Sequence, residues 1–185
     1  MTKGRLLALW AGLVILGYIF ASQDWFALSM APDGKVVKLS SYDGLTAYSN
    51  LSPLLMLNFV VILAVAFVGT LGRKITLGLI ALLNLATLVS TIIRVTAQDV
   101  SGLAKQVEQM TGIAAAHGVE DMSIQVQLAP MGFIGALATT TLLLVYLLVV
   151  ERKWPKRSAK TEIASKATKT AEPKDAIGIW DSQRR

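Results

Sequence analysis

The sequence predicts an all-α membrane protein of four transmembrane helices, with a small extracytoplasmic cap (hairpin plus amphipathic helix) and a disordered cytoplasmic tail. Three observations carry that prediction. The 185 residues are 54% hydrophobic and only 16% charged, with a mean hydropathy of +0.55, too apolar for a soluble domain of this size. Four uncharged apolar runs come close to the ~20 residues that cross a ~30 Å hydrocarbon core at ~1.5 Å per residue. Lysines and arginines are shared unequally between alternate connecting segments.

The first run covers about residues 6–21 and follows Lys3 and Arg5. The second, about 51–71, carries Pro53 in a first turn that tolerates a missing N–H, and Arg73 and Lys74 end it. The third, 75–93, is framed by Lys74 and Arg94, and the fourth, 130–150, again begins with proline. Fourteen of the 18 lysines and arginines lie before the first run, between the second and third, or after the fourth. Positive segments resist translocation, so both termini are expected in the cytoplasm and the protein in the plasma membrane. The competing reading of the first run is a cleaved signal peptide ending at Ala21. Against it, Ile19 suits a cleavage signal poorly, and the run continues into Trp25 and Phe26, a pair expected to anchor in the lipid headgroups. Trp154, just beyond the fourth run, is a further expected anchor.

The outer segments are 22–50 and 94–129. In the first, two short extended stretches flank Ala31-Pro32-Asp33-Gly34, which predicts a hairpin, and Tyr42-Asp43-Gly44 reads as a second turn. In the second, Val100, Leu103, Val107, Met110 and Ile113 recur at helical spacing, predicting an amphipathic helix from Asp99 to His117 with Asp99 or Ser101 as N-cap. Residues 123–128 alternate like a half-buried strand, expected to pair with the hairpin because isolated short strands leave bare edges. The segment 151–185 is basic, lacks aliphatic periodicity and is expected to be disordered. Its first lysines and arginines lie beside membrane lipid. Near its end Trp180 and Asp181 interrupt the polar run as a candidate docking motif.

Candidate chemistry is sparse. Without cysteine there are no disulfides, thiolate ligands or thiol nucleophiles, and the one histidine, His117, cannot make a metal site alone. No cofactor fingerprint is present, and the basic tail lacks the interleaved aromatics of a nucleic-acid binder. Glu120 and Asp121 form the adjacent acidic pair of the outer side and read as solvated loop charges. The apolar runs contain no ionisable residue of the kind that marks a pump or an intramembrane enzyme. Their polar members are amides and hydroxyls, which hydrogen-bond between helices. Asn58 and Asn84, both near mid-run on consecutive helices, are the candidate polar contacts, at positions from which they can face each other across the hairpin. Gly12, Gly17, Gly69, Gly132, Gly135 and Ala138 offer close helix approach. A non-enzymatic accessory or interaction subunit is the leading expectation, with a protein partner or a second copy. The alternative is an oligomeric small transporter.

Several landmarks also occur in a known order. They are Ser22-Gln23-Asp24-Trp25 after the first run, Leu45-Thr46-Ala47 to Ser52-Pro53 before the second, and Gly72-Arg73-Lys74. Arg152-Lys153-Trp154-Pro155 after the fourth and Ile179-Trp180-Asp181 complete the set. Together they resemble the tryptophan-associated membrane protein family of actinobacteria over nearly the whole chain. The acidic ending usual in that family is replaced here by Ser182-Gln183-Arg184-Arg185. The resemblance implies a four-span fold and a tie to tryptophan or aromatic metabolism, which gives the transporter alternative its expected substrate. It assigns no catalytic or binding residue.

Overall fold

The computed structural model describes residues 3–30, 37–103, 108–109 and 123–150. Helix α1 (Lys3–Ala21) leads into strand β1 (Asp24–Met30), and β2 (Val37–Asp43) leads through the single turn α2 (Gly44–Ala47) into α3 (Leu51–Phe67). Helix α4 (Thr70–Thr96) ends in a 3-10 turn (Ser101–Leu103), and β3 (Ser123–Val126) feeds α5 (Ala129–Val150). Helices α1, α4 and α5 are each long and apolar enough to cross a membrane, and α3 is a shorter apolar helix.

The four long helices pack as a closed ring, α1 against α3, α3 against α4, α4 against α5 and α5 against α1. Their outer faces are as apolar as their inner ones: Met56, Val60, Leu63 and Phe67 on α3, and Leu79, Leu82 and Leu85 on α4, are exposed. The polar side chains Asn58, Asn84, Thr91, Thr140 and Thr141 are buried. This inversion suits a lipid solvent, in which a polar group gains by turning inward.

The α3–α4 connection falls earlier than the basic pair at 73–74 suggests. Val68 is extended, Gly69 N-caps α4, and Arg73 and Lys74 lie within the first turns of α4. Buried Arg73 folds back so that its guanidinium donates to the Val68 carbonyl at 3.1 Å, satisfying an acceptor at the end of α3. The charge therefore caps the preceding helix, and the chain reverses where an extended residue meets a glycine.

The strands form one antiparallel sheet ordered β2-β1-β3, so β3 pairs with the hairpin as the alternation of 123–128 predicts. The strand itself ends at Val126. The register shifts between Asp24 and Phe26, leaving Trp25 as an extra residue on β1. Such a bulge lets two successive side chains turn to the same side. Asp43, expected in a turn, N-caps α2 instead, accepting from the Thr46 N–H at 2.6 Å.

Helix α4 closes with Gln98 at a φ of 51°, its N–H donating to the Val95 carbonyl and the Asp99 N–H to the Arg94 carbonyl. This is a Schellman cap with glutamine where glycine is usual. The described start of the expected Asp99–His117 helix is a different element, the 3-10 turn at Ser101–Leu103. It forms because Asp99 spends its carboxylate on the Ser101 N–H and Leu103 donates to the Val100 carbonyl. Glu108 and Gln109 are helical. The remainder of that helix, His117, Glu120, Asp121, the 31–36 turn and the tail with Trp154, Trp180 and Asp181 lie outside the described residues.

Left-handed backbone costs a non-glycine residue about 1–2 kcal/mol, partly offset by the entropy glycine loses on folding. Gln98→Gly is therefore expected to stabilise the protein by about 0.5–1 kcal/mol, read as a raised unfolding midpoint in detergent.

Candidate functional site

Helix α1 turns Leu6, Trp10, Val14 and Gly17 inward at spacings of three and four, and α3 does the same with Leu54, Asn58, Val61 and Val65. Asn84 enters from α4, fully buried. The two amides meet face to face. Asn58 Nδ2 donates to Asn84 Oδ1 at 3.0 Å, and Asn84 Nδ2 donates back to Asn58 Oδ1 at 3.1 Å. The second Asn58 amide proton goes to the Leu54 carbonyl at 2.9 Å, and Asn58 Oδ1 also accepts from the Trp10 indole at 3.2 Å. Every hydrogen-bonding position of Asn58 is thereby used.

The cluster joins three helices, and it brings together Asn58 and Asn84, the two candidate polar contacts. Trp10 was not anticipated. Its signal was an indole N–H inside a fully apolar run, a donor that must find an acceptor when water is excluded. A cavity of ≈10 Å³ adjoins the cluster, lined among others by Gly17, Leu55, Asn58, Phe133 and Thr140. It has room for about one water but few partners for it, since Asn58 is saturated and the Thr140 hydroxyl donates to the Ala136 carbonyl. Buried Thr141 likewise bonds its own helix, to the Leu137 carbonyl, rather than a neighbouring one.

A second constellation lies where the sheet meets the helices. Trp25 and Phe26 are both fully buried, which corrects their expected role as headgroup anchors. The Trp25 bulge directs both rings inward. The Trp25 indole donates to the Phe20 carbonyl at the end of α1 at 2.8 Å, and the ring packs against Tyr48 and Phe133, with centroids 5.7 and 5.3 Å away. Gly44 lies flat against that ring, and a Cβ there would come well under 3.0 Å from it. At Gly132 an added Cβ would meet the Phe20 ring at 2.5–2.8 Å, and Gly17 faces Leu55 and Phe133 more loosely. Gly12, Gly69 and Gly135 have nothing within 4 Å, so they mediate no close helix approach among the described residues.

Tyr48 connects this aromatic cluster to the end of α4. Its hydroxyl donates to the Asp99 carbonyl at 3.1 Å, and the Arg94 guanidinium lies 5.5 Å from its ring centre. Burial and the nearby Asp99 charge push the Tyr48 pKa up to about 12, with Arg94 opposing. Hydrogen bonds from Ser101 hold the Asp99 carboxyl below its ordinary range. Neighbouring Tyr42 is buried, and its hydroxyl has no partner among the described residues.

At the surface a cleft of ≈460 Å³ opens between the end of α1, the sheet and the start of α5, lined by Ser22, Gln23, Asp24, Ser41, Gln127, Leu128 and Ala129. Among the described residues no three histidine, aspartate or glutamate side chains come together as metal ligands would. The intramembrane cluster is uncharged and has no group that titrates, so its chemistry is hydrogen bonding alone.

Two outcomes follow. Asn58→Leu is expected to cost about 1–2 kcal/mol by stranding the Trp10 and Asn84 donors, and Asn58→Leu with Asn84→Leu to cost less than the two single changes together; a double-mutant cycle on unfolding midpoints checks this. For Tyr48, a folded pKa above the unfolded one means that its stabilisation is full below pH ~10 and is lost as pH rises towards 12. Tyr48→Phe is therefore expected to flatten the decline in unfolding midpoint between those values.

Neither a search of curated proteins nor one of solved structures returns a match to this chain. A family model does match, that of the tryptophan-associated transmembrane proteins, over residues 5–183. With a match of that extent falling on a bundle of apolar helices, the chain belongs to the tryptophan-associated transmembrane protein family.

Proposed function

We propose that this protein is a non-enzymatic accessory subunit of the plasma membrane. It crosses four times, keeps both termini in the cytoplasm and presents its sheet cap outside to a protein partner or a second copy. The tie to tryptophan metabolism enters through the family. One observation carries the reading: the two asparagines at the bundle centre are committed to each other, beside a space of only ≈10 Å³. A solute pathway needs polar groups free to exchange partners, and room for the solute.

The four-span count is supported by the 17 residues of α3, about 26 Å of helix, at the short end of the spanning range. Its packing against both α1 and α4 supports the same count. Retention of α1 is supported by the Trp10 bond to Asn58, which makes the first helix part of the core. The sheet supplies two outer strands, β2 and β3, and β3 alternates exposed Ser123 and Gln125 with half-buried Ile124 and Val126. A strand of that kind suits pairing with another chain.

The absence of cysteine allows a direct test. In intact cells a membrane-impermeant maleimide is expected to label Gln127→Cys but to reach Lys74→Cys only after permeabilisation; the reverse pattern overturns the topology. A photo-crosslinker at Gln125 is expected to give one discrete adduct, with tryptophan uptake and efflux unchanged in Asn58→Leu at equal protein level. Altered flux without an adduct would replace this reading by the oligomeric transporter for tryptophan or a related aromatic compound.

A further inference from the structure

Hydroxyls in these helices usually bond back one turn along their own backbone. Thr76, Thr96, Thr139, Thr140 and Thr141 each donate to the carbonyl four residues before them. Thr87, Ser90 and Thr91 on α4 do not, and their hydroxyls make no hydrogen bond among the described residues. Thr91 is buried at 3% exposure, while Thr87 and Ser90 are half-buried on a flank of the helix. Arg94 ends the same flank. Its guanidinium lies over the Tyr48 ring and makes no hydrogen bond or ion pair among the described residues, and Asp99 turns its carboxylate to the Ser101 N–H. We propose that this flank, at the seam between α3 and α4, binds one anionic diacyl phospholipid, with Arg94 on its phosphate and Ser90 on an ester carbonyl.

Leu83, Thr87, Ser90 and Arg94 recur at spacings of four, three and four, which puts them on one side of α4. That side looks towards α3, because Tyr48 stands at the foot of α3 and accepts from the Leu51 N–H. On α3, Leu55 faces Gly17 of α1, and the opposite flank, with exposed Leu57, lies towards α4. The seam therefore presents a cation, then hydroxyls, then the apolar Leu57 and Leu83.

Depth matches that order. Asn84 stands midway between Lys74 and Arg94, about 15 Å of helix from each, so the two charges mark the edges of a ~30 Å hydrocarbon core. Ser90 lies one turn inside Arg94, about 6 Å nearer the centre. Helix α3, taken as a span as proposed above, begins at Leu51, only about 10 Å of helix from Asn58. A short apolar helix thins the bilayer beside it. Lipid at this seam is drawn inward, which brings its phosphate level with Arg94 and its ester carbonyls level with Ser90.

Chemistry selects the occupant. The phosphodiester and the esters only accept hydrogen bonds, and Arg94 and Ser90 supply donors in the same sequence. In hydrocarbon an unpaired hydroxyl is costly, so an ester within reach of Ser90 is worth more than it would be in water. A second copy on this face would bring two Arg94 side chains together, and like charges repel, whereas a phosphate complements the charge. Phosphatidylcholine offers the phosphate with its own cation attached, so a headgroup without one is preferred.

The test uses the full-length protein in nanodiscs of phosphatidylcholine carrying phosphatidylglycerol in either its diester or its diether form, with native mass spectrometry counting the retained lipid. The diether keeps the phosphate and lacks the ester carbonyls. Wild type is expected to retain diester phosphatidylglycerol roughly tenfold over phosphatidylcholine and a few-fold over the diether. Arg94→Gln is expected to remove most of the first preference, and Ser90→Ala only the second. Other lysines and arginines also attract anionic lipid, so Lys74→Gln, with the same charge lost at the other end of α4, sets the fall due to net charge alone. A fall in Arg94→Gln no larger than in Lys74→Gln, or equal retention of diester and diether by wild type, overturns the proposal. So does a protein dimer that Ser90→Ala dissociates, which assigns the hydroxyl to a second copy. Unfolding midpoints in phosphatidylcholine check that the variants fold, and Ser90→Ala leaves Tyr48 and the end of α4 intact, so the ester comparison holds even where Arg94→Gln is unstable. Failure of α3 to cross is read separately, from the maleimide labelling of Lys74→Cys and Gln127→Cys.

Discussion

The reciprocal amide pair between Asn58 and Asn84 is the contact on which the bundle depends. In lipid, burying one more leucine gains almost nothing, because hydrocarbon tails are as apolar as leucine. Apolar helices therefore have many nearly equivalent ways to pack. A bidentate amide contact has one good geometry, and sliding or rotating either helix leaves donors and acceptors unsatisfied in a medium without water. The pair sets the register of α3 against α4. The Trp10 indole extends the same constraint to α1, and α5 closes the ring through Phe133, Leu137, Leu144 and Leu147, all of them buried.

The cap solves a different problem, since it meets water on one side and the bundle on the other. A regular strand would send Trp25 and Phe26 to opposite faces. The one-residue bulge at Trp25 sends both inward, and the indole N–H then reaches the end of α1 at the Phe20 carbonyl. This bond ties sheet to helix through a polar atom that would otherwise be buried without a partner. Gly44 allows the ring to lie against the α2 backbone, and Tyr48 passes the contact on to Arg94 and Asp99. Cap and bundle are joined by one aromatic cluster.

The two regions divide the functional possibilities. Inside the bundle the hydrogen-bonding capacity of Asn58 is consumed by structure, which favours a scaffold over a conduit. In the cap, the described strands leave β2 and β3 as the outer members of the sheet. Membership of a tryptophan-associated family gives the biological setting.

The sequence by itself determined the membrane character, the four apolar segments and the mid-run positions from which Asn58 and Asn84 can meet. These follow from hydropathy, charge placement and the cost of polar groups in lipid, all of which act locally or between helices adjacent in the chain. The pairing of β3 with the hairpin was legible for a similar reason, since short strands need their edges covered. Tertiary structure alone decided the rest. That Trp10 completes the amide cluster depends on which face of α1 meets α3, and a run apolar all round carries no periodicity to say so. That Trp25 and Phe26 are interior and not headgroup anchors depends on a bulge, which strand alternation does not encode. The reversal at Val68–Gly69, ahead of the basic pair, depends on Arg73 reaching back to the Val68 carbonyl. Sequence rules read that arginine as a stop because they count its charge and not the acceptor within its reach.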